Sequence, residues 1–158
     1  MKTVIINEIE YPTYATVKDA DNYFNAFFGS TWEQIDEVDK AKLLVSATRT
    51  IDTQEWRGVK KDETQELAFP RLINKVETDE KLLIKACCEE AVAINKSGTS
   101  STANTEGIKS VTVQDTTISF KENSQEKAFK SNVVEELLRP YRYLGVSVLF
   151  WKLQTKMI

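Results

Sequence analysis

The sequence predicts a mainly α protein: a small helical bundle of about four helices with an inserted β-hairpin and extended termini. Three observations carry that expectation. Leu43, Leu44, Ala47 and Ile51 recur at three- and four-residue spacing, which draws an apolar stripe along a helix from about Asp39 to Gln54. Leu82, Leu83, Ile84, Ala86, Cys87, Cys88, Ala91, Val92 and Ile94 leave only a narrow polar stripe, so a helix from Asp79 to about Asn95 is covered on most sides. Val111 and Val113, then Ile118 and Phe120, alternate about a turn at Gln114–Thr117, the pattern of a hairpin at about 110–121.

Taken in order, the chain starts with an N-terminal arm, residues 1–13. Its β-branched Val4–Ile6 suits a short edge strand, and Tyr11-Pro12-Thr13-Tyr14 reads as a turn. Thr16 is placed to cap a helix, with Asp19 closing the capping box. That helix presents Val17, Ala20, Tyr23, Phe24, Phe27 and Phe28 and stops at Gly29. Asp36 or Asp39 caps the central helix, and Gly58 follows Trp56 as a stop signal. Residues 59–67 are polar, an exposed loop or a single helical turn. Pro70 restricts Phe69 to an extended conformation, which sends the ring into the core and Arg71 outward. The Ser/Thr-rich stretch Ser97–Gly107 has no apolar anchor and reads as a mobile loop. Phe129, Val133, Val134, Leu137, Leu138 and Tyr141 mark a last helix that Pro140 ends. Residues 14–144 thus form the helical body, and 145–158 a C-terminal docking tail whose Val146–Trp151 run is strand-like and apolar.

With 158 residues the chain is expected to be one domain with a core that needs neither disulfide nor metal. The net charge of −3 says little, but its distribution says more. Residues 1–66 hold 8 basic and 13 acidic residues, whereas Arg139, Arg142, Lys152 and Lys156 are the only charges from 139 onward. An acidic body and a basic tail attract one another between neighbouring copies. Cys87 and Cys88 are adjacent, which strains any disulfide between them, so they read as buried thiols of a reducing compartment. No signal peptide and no apolar run long enough to span a membrane is present, so the expectation is a soluble, cytoplasmic product.

Histidine is absent, and with it the commonest general base and metal ligand. No phosphate-binding glycine loop appears, and two adjacent cysteines cannot frame a zinc site. Asp19/Asp21 and Asp36–Asp39 fall where helix N-termini favour carboxylates. The expectation is no enzyme, no cofactor and no metal. Arg49, Arg57, Lys60, Lys61 and Arg71 around Trp56 compose a possible cationic patch with a stacking ring for nucleic acid. The competing reading makes Arg49 a snorkelling helix residue, Lys60 and Lys61 ordinary loop charges, and Trp56 a core or subunit-seam residue.

Several motifs together resemble a known family. Tyr14-Ala15-Thr16-Val17 through Ala20–Phe24, Lys42–Asp52, Trp56-Arg57-Gly58, Leu67–Arg71, the Gly107–Val113 strand start and Leu137-Leu138-Arg139-Pro140-Tyr141 are similar to small tailed-phage head-tail connector, or adaptor, proteins. The same proteins carry the label DnaT-like single-stranded DNA-binding. The resemblance covers roughly Tyr14 to Tyr141. It implies a head-completion subunit of the virion neck, assembled into a homo-oligomeric ring of about twelve copies between the portal protein and a tail or stopper protein. DNA would pass through its lumen without specific binding. Trp56, Arg57, Phe69, Pro70, Arg71, Arg139, Pro140 and Tyr141 would set the subunit's shape and its seams. Val148, Phe150, Trp151, Lys152 and Lys156 would dock on the portal. The family's other label implies sequence-tolerant single-stranded DNA binding, for which Arg49, Arg57, Lys60 and Lys61 are the candidates.

Overall fold

The computed structural model describes residues 1–99, 110–113, 116–119 and 127–143. Strands β1 (Lys2–Ile6) and β2 (Ile9–Thr13) open the chain as an antiparallel hairpin with Ile6 opposite Ile9. The connecting Asn7 and Glu8 both have positive φ, 50° and 66°, the type I′ turn whose twist suits a two-residue hairpin. Tyr11–Thr13 is therefore strand rather than turn. Pro12 is tolerated because a two-stranded ribbon consists of edges.

Helix α1 (Val17–Phe24) begins at the expected box: Thr16 Oγ1 accepts the Asp19 N–H at 3.1 Å, and the Asp19 carboxylate accepts the Thr16 N–H at 2.9 Å. It ends at Phe24, which leaves Phe27 and Phe28 beyond it. A 3-10 turn at Trp32–Gln34 leads to α2 (Glu37–Asp52), capped by Asp36, whose carboxylate accepts the Val38 N–H at 3.1 Å. Strands β3 (Val59–Lys60), β4 (Arg71–Ile73) and β5 (Val76–Glu77) form an antiparallel sheet in that order. A second positive-φ pair, Asn74 and Lys75, turns β4 into β5. Helix α3 (Glu80–Thr99) continues past Asn95 into the Ser/Thr-rich stretch, so Ser97–Thr99 is helix rather than loop. Strands β6 (Ser110–Val113) and β7 (Thr116–Ser119) pair with Val113 opposite Thr116, which moves Thr116 and Thr117 from the expected turn into strand. Helix α4 (Asn132–Leu138) runs into a 3-10 turn at Arg139–Tyr141.

The mainly α expectation is thus overturned. Among the described residues four helices share the chain with seven strands in three small antiparallel sheets, a mixed α/β architecture. Strands β3, β4 and β5, of two or three residues, are too short to show a period of two, and the Asn7-Glu8 and Asn74-Lys75 turns lack the Asn-Gly signature.

The core lies where α2 crosses α3, with α1 and the N-terminal hairpin against α2 and α4 against α3. Leu44, Ala47 and Ile51 meet a face of α3 that carries Ala86, Cys87 and Ala91, all fully buried. Small residues there let the helix axes approach closely. Both cysteines are free and buried. The Cys87 thiol lies 3.7 Å from the Leu44 carbonyl and 3.5 Å from Thr48 Oγ1, and burial pushes it up to about 11. Trp32 is wholly buried, and its indole N–H donates to Asp21 at 2.8 Å. The buried Lys40 ammonium reaches the same carboxylate and Glu37, each at 3.0 Å, so no charge is stranded.

Candidate functional site

Three of the motifs that carried the resemblance, Trp56–Gly58, Phe69–Arg71 and Leu137–Tyr141, meet at one junction. Trp56 is buried, its indole N–H donating to the Ile51 carbonyl at 3.0 Å, and its ring meets Phe69 edge-on at 4.9 Å and Phe129 at 6.4 Å. Tyr141 completes the cluster from the C-terminal side, 6.1 Å from Phe69. Aromatic pairs of this kind contribute about 0.5–1.5 kcal/mol each beyond burial.

Backbone bonds fix the same junction. The Arg57 N–H donates to the Tyr141 carbonyl at 2.8 Å, and the Arg57 guanidinium to the Pro140 carbonyl at 3.0 Å. Trp56 and Arg142 form an isolated antiparallel bridge, and the Asp79 N–H donates to the Tyr141 hydroxyl at 3.2 Å. Arg71 does not face outward. Its guanidinium folds back onto the carbonyls of Arg57 (2.8 Å), Gly58 (2.7 Å) and Ala68 (3.3 Å), with Trp56 O at 3.5 Å. A rigid fork of five N–H donors suits a cluster of carbonyls better than any other side chain.

Behind Phe69 stands a pair that the sequence reading missed. The Tyr14 hydroxyl donates to the Asp52 carboxylate, which also accepts the Ala68 N–H at 2.7 Å; Tyr14 Oη in turn accepts the Phe69 N–H at 3.3 Å. Burial, then the neighbouring Asp52, holds the Tyr14 hydroxyl well above the usual tyrosine range. The signal was present: Asp52 ends α2, where the helix dipole disfavours an acid. Glu90, also missed, is fully buried on α3 and accepts the Lys130 and Ser131 N–H groups at 2.8 and 3.0 Å. An acid inside the run Cys87–Val92 was its signal.

The cations proposed for nucleic acid are mostly engaged within the chain. Arg57 is bound as described, Lys60 donates to the Gln65 carbonyl at 3.1 Å, and Lys61 pairs with Glu77 at 2.7 Å. Arg49 is exposed on α2 beside a hollow of about 340 Å³ shared with Tyr11, Asp52 and Glu66, and has no partner among the described residues. The structure brings Arg57, Lys60 and Arg71 together at β3 and β4, with Lys61 following β3, but the Trp56 ring is buried against Phe69 and Phe129 rather than open for stacking. Arg139 pairs with Glu136 at 2.7 Å on the surface, and Pro140 is exposed. Val148, Phe150, Trp151, Lys152 and Lys156 lie outside the described residues.

A groove of about 530 Å³ runs along the N-terminal hairpin, with Tyr14, Leu67, Phe69 and Leu83 beneath and the Lys61–Glu77 pair on its rim. The acidic clusters are otherwise occupied: Asp19 closes the capping box of α1 and meets Lys2 at 3.1 Å, Asp21 holds Trp32 and Lys40, and Asp39 pairs with Lys42 at 3.1 Å. Among the described residues no three metal-capable side chains converge.

Fold and junction together define a small mixed α/β module whose most specific sequence motifs serve to lock its own backbone. The family described as "Putative DnaT-like ssDNA binding protein" matches residues 7–150, nearly the whole sequence, and the chain belongs to that family. No curated protein and no solved structure matches it.

Proposed function

We propose that this DnaT-like protein is a structural subunit of the head-tail connector type, working by association with copies of itself, with a portal protein and with a tail or stopper protein in the virion neck. The observation that carries this reading is the use of the motif residues. Trp56–Gly58, Phe69–Arg71 and Leu137–Tyr141 build a rigid internal junction, and three of the four cations offered to DNA are bound to the chain's own oxygens. The resemblance of those motifs to connector proteins supports it further. In this reading the protein catalyses nothing, and residues 145–158, with Val148, Phe150 and Trp151 as anchors and Lys152 and Lys156 beside them, grip the portal.

A second reading, sequence-tolerant single-stranded DNA binding, is favoured by the family's description. It is the reading that family membership supports, while the first rests on the motifs and their geometry. One experiment separates them. Light scattering after size exclusion is run on the protein alone and with its portal protein, for the full chain and for a chain ending at Gly145. Binding of a labelled oligothymidine is titrated in parallel against salt. Portal binding or assembly that disappears on truncation supports the connector. A monomer in every mixture that binds oligothymidine with log K falling linearly in log salt, by about 0.7 per phosphate contacted, supports the second reading.

A further inference from the structure

Tyr143, the last described residue, sits at the rim of the hollow beside Arg49. Its N–H donates to the Glu55 carbonyl at 3.4 Å, and Thr53, two residues before Glu55, lines the hollow of about 340 Å³ at the C-terminal end of α2. Residues 144–158 start from that rim. The stretch from Tyr143 to Trp151 spans up to about 28 Å when extended, so every wall of the hollow is within its reach.

The hollow is short of cations. Asp52 uses one oxygen, Oδ1, for both the Tyr14 hydroxyl and the Ala68 N–H, while Oδ2 has no partner among the described residues and stays in reach of water. Glu66 is exposed and likewise without a partner among the described residues. Arg49 bonds to neither of them, so two carboxylates face one guanidinium, and the carbonyl end of α2 adds its partial negative charge. The loop ahead of Leu67 extends the imbalance with Asp62 and Glu63 and no base. Lys60 and Lys61, which precede it, are held by the Gln65 carbonyl and by Glu77.

The segment that starts at the rim has the complementary character. Residues 144–158 contain Lys152 and Lys156, no aspartate or glutamate, and the apolar run Val146–Trp151. For that run the hollow offers Pro12, Val45 and Leu67.

We propose that residues 144–158 dock on their own chain in this hollow, with the run ending at Trp151 against Pro12, Val45 and Leu67, and Lys152 paired with Asp52 Oδ2 and Glu66. A segment tethered at the rim meets the hollow at an effective concentration that a second copy in dilute solution does not reach, which selects the chain's own tail as the occupant. The contact works as a latch. It holds back the segment assigned above to the portal, and a portal protein captures that segment only by binding it more tightly than the hollow does. This consequence rests on the connector reading; the docking itself does not.

Trp151 reports on the docking, because Trp32 and Trp56 are buried. Acrylamide quenching of the full chain is compared with that of Trp151→Phe, and the difference isolates Trp151. Docking predicts a protected Trp151 at every protein concentration. Glu66→Lys changes an exposed residue with no partner among the described residues and puts a cation where Lys152 lands. It should lower the docked-to-free ratio about three- to tenfold, with circular dichroism as the check on folding. Adding Lys152→Glu should restore the protection. A Trp151 that is fully quenched in wild type, or whose quenching Glu66→Lys leaves unchanged, overturns the docking. Protection that grows with protein concentration overturns it as well, in favour of a second copy's tail. The second arm adds the portal protein, which Glu66→Lys should bind more tightly than wild type, by up to the same factor. Release of Trp151 by Glu66→Lys with no portal binding by either protein supports the docking and overturns the connector reading.

Discussion

Gly58 sits between the two arginines of the junction with φ +72°, and a Cβ built there lies 2.2 Å from the Leu72 carbonyl oxygen. The β3–β4 approach leaves no room for a side chain, and the left-handed backbone adds strain for any residue but glycine. Gly58→Ala is expected to destabilise by about 2–4 kcal/mol, read from urea unfolding. Arg71 gives a sharper contrast. Arg71→Lys keeps the charge but replaces a fork serving several carbonyls with one ammonium, and should lower stability by about 1.5–3 kcal/mol. Arg49→Ala should stay within about 0.5 kcal/mol, since Arg49 has no bonded partner among the described residues. A large loss at Arg49 and none at Arg71 would reverse the assignment of which arginine is structural. Lys75 tells the same story with the opposite sign. It holds φ +68° without being glycine, so its turn is strained where Gly58 is not.

At the scale of elements, a single buried acid holds the entry to α4. Glu90 receives the two N–H groups just ahead of α4, and burial raises its carboxyl above the ordinary 4.5 while those bonds from Lys130 and Ser131 oppose the rise. Over the window that opens at 4.5, the folded chain retains a proton that the unfolded chain has released. This contribution to stability is therefore full at low pH and is lost as pH rises through the raised value. Glu90→Gln does not titrate. The stability of wild type minus that of Glu90→Gln should fall as pH is raised from 4.5, in urea midpoints measured at matched ionic strength; a flat or rising difference contradicts the assignment. The helices were legible for reasons that operate locally. The Thr16–Asp19 box, the Asp36 cap and the stripe Leu44–Ala47–Ile51 each act within four residues. The β6–β7 hairpin was legible from its alternating residues, but the three-stranded sheet was not, because β3, β4 and β5 have two or three residues apiece and owe their pairing to Arg71, Gly58 and the Asn74–Lys75 turn. The junction was half legible: Trp56, Phe69 and Tyr141 were singled out, but that Arg71 turns inward depends on carbonyls supplied from outside its own segment.

For the molecule as a whole, the paired thiols report on global opening. Cys87 is raised to about 11 and Cys88 further, burial being the first cause for both, and neither touches solvent. At pH 8 a thiol reagent should label both only as fast as the α2–α3 core opens, so the labelling rate should climb with denaturant in step with unfolding. Fast labelling of the native protein would contradict so closed a core. The junction bears on a different moment, the emergence of the chain from the ribosome. Arg57 finds its partner Pro140 across 83 residues, and Trp56 awaits Phe129, Tyr141 and Arg142. While residues 1–99 are being made, α2 and α3 can already meet, but Trp56 has no Phe129 to lie against and Glu90 stands without its two donors. The nascent protein thus carries an indole covered on the Phe69 side alone and an unpartnered acid until Phe129–Arg142 has been translated. Synthesis halted before Arg142 would release a product prone to aggregation, which makes the last turn of the described chain the step that seals the fold.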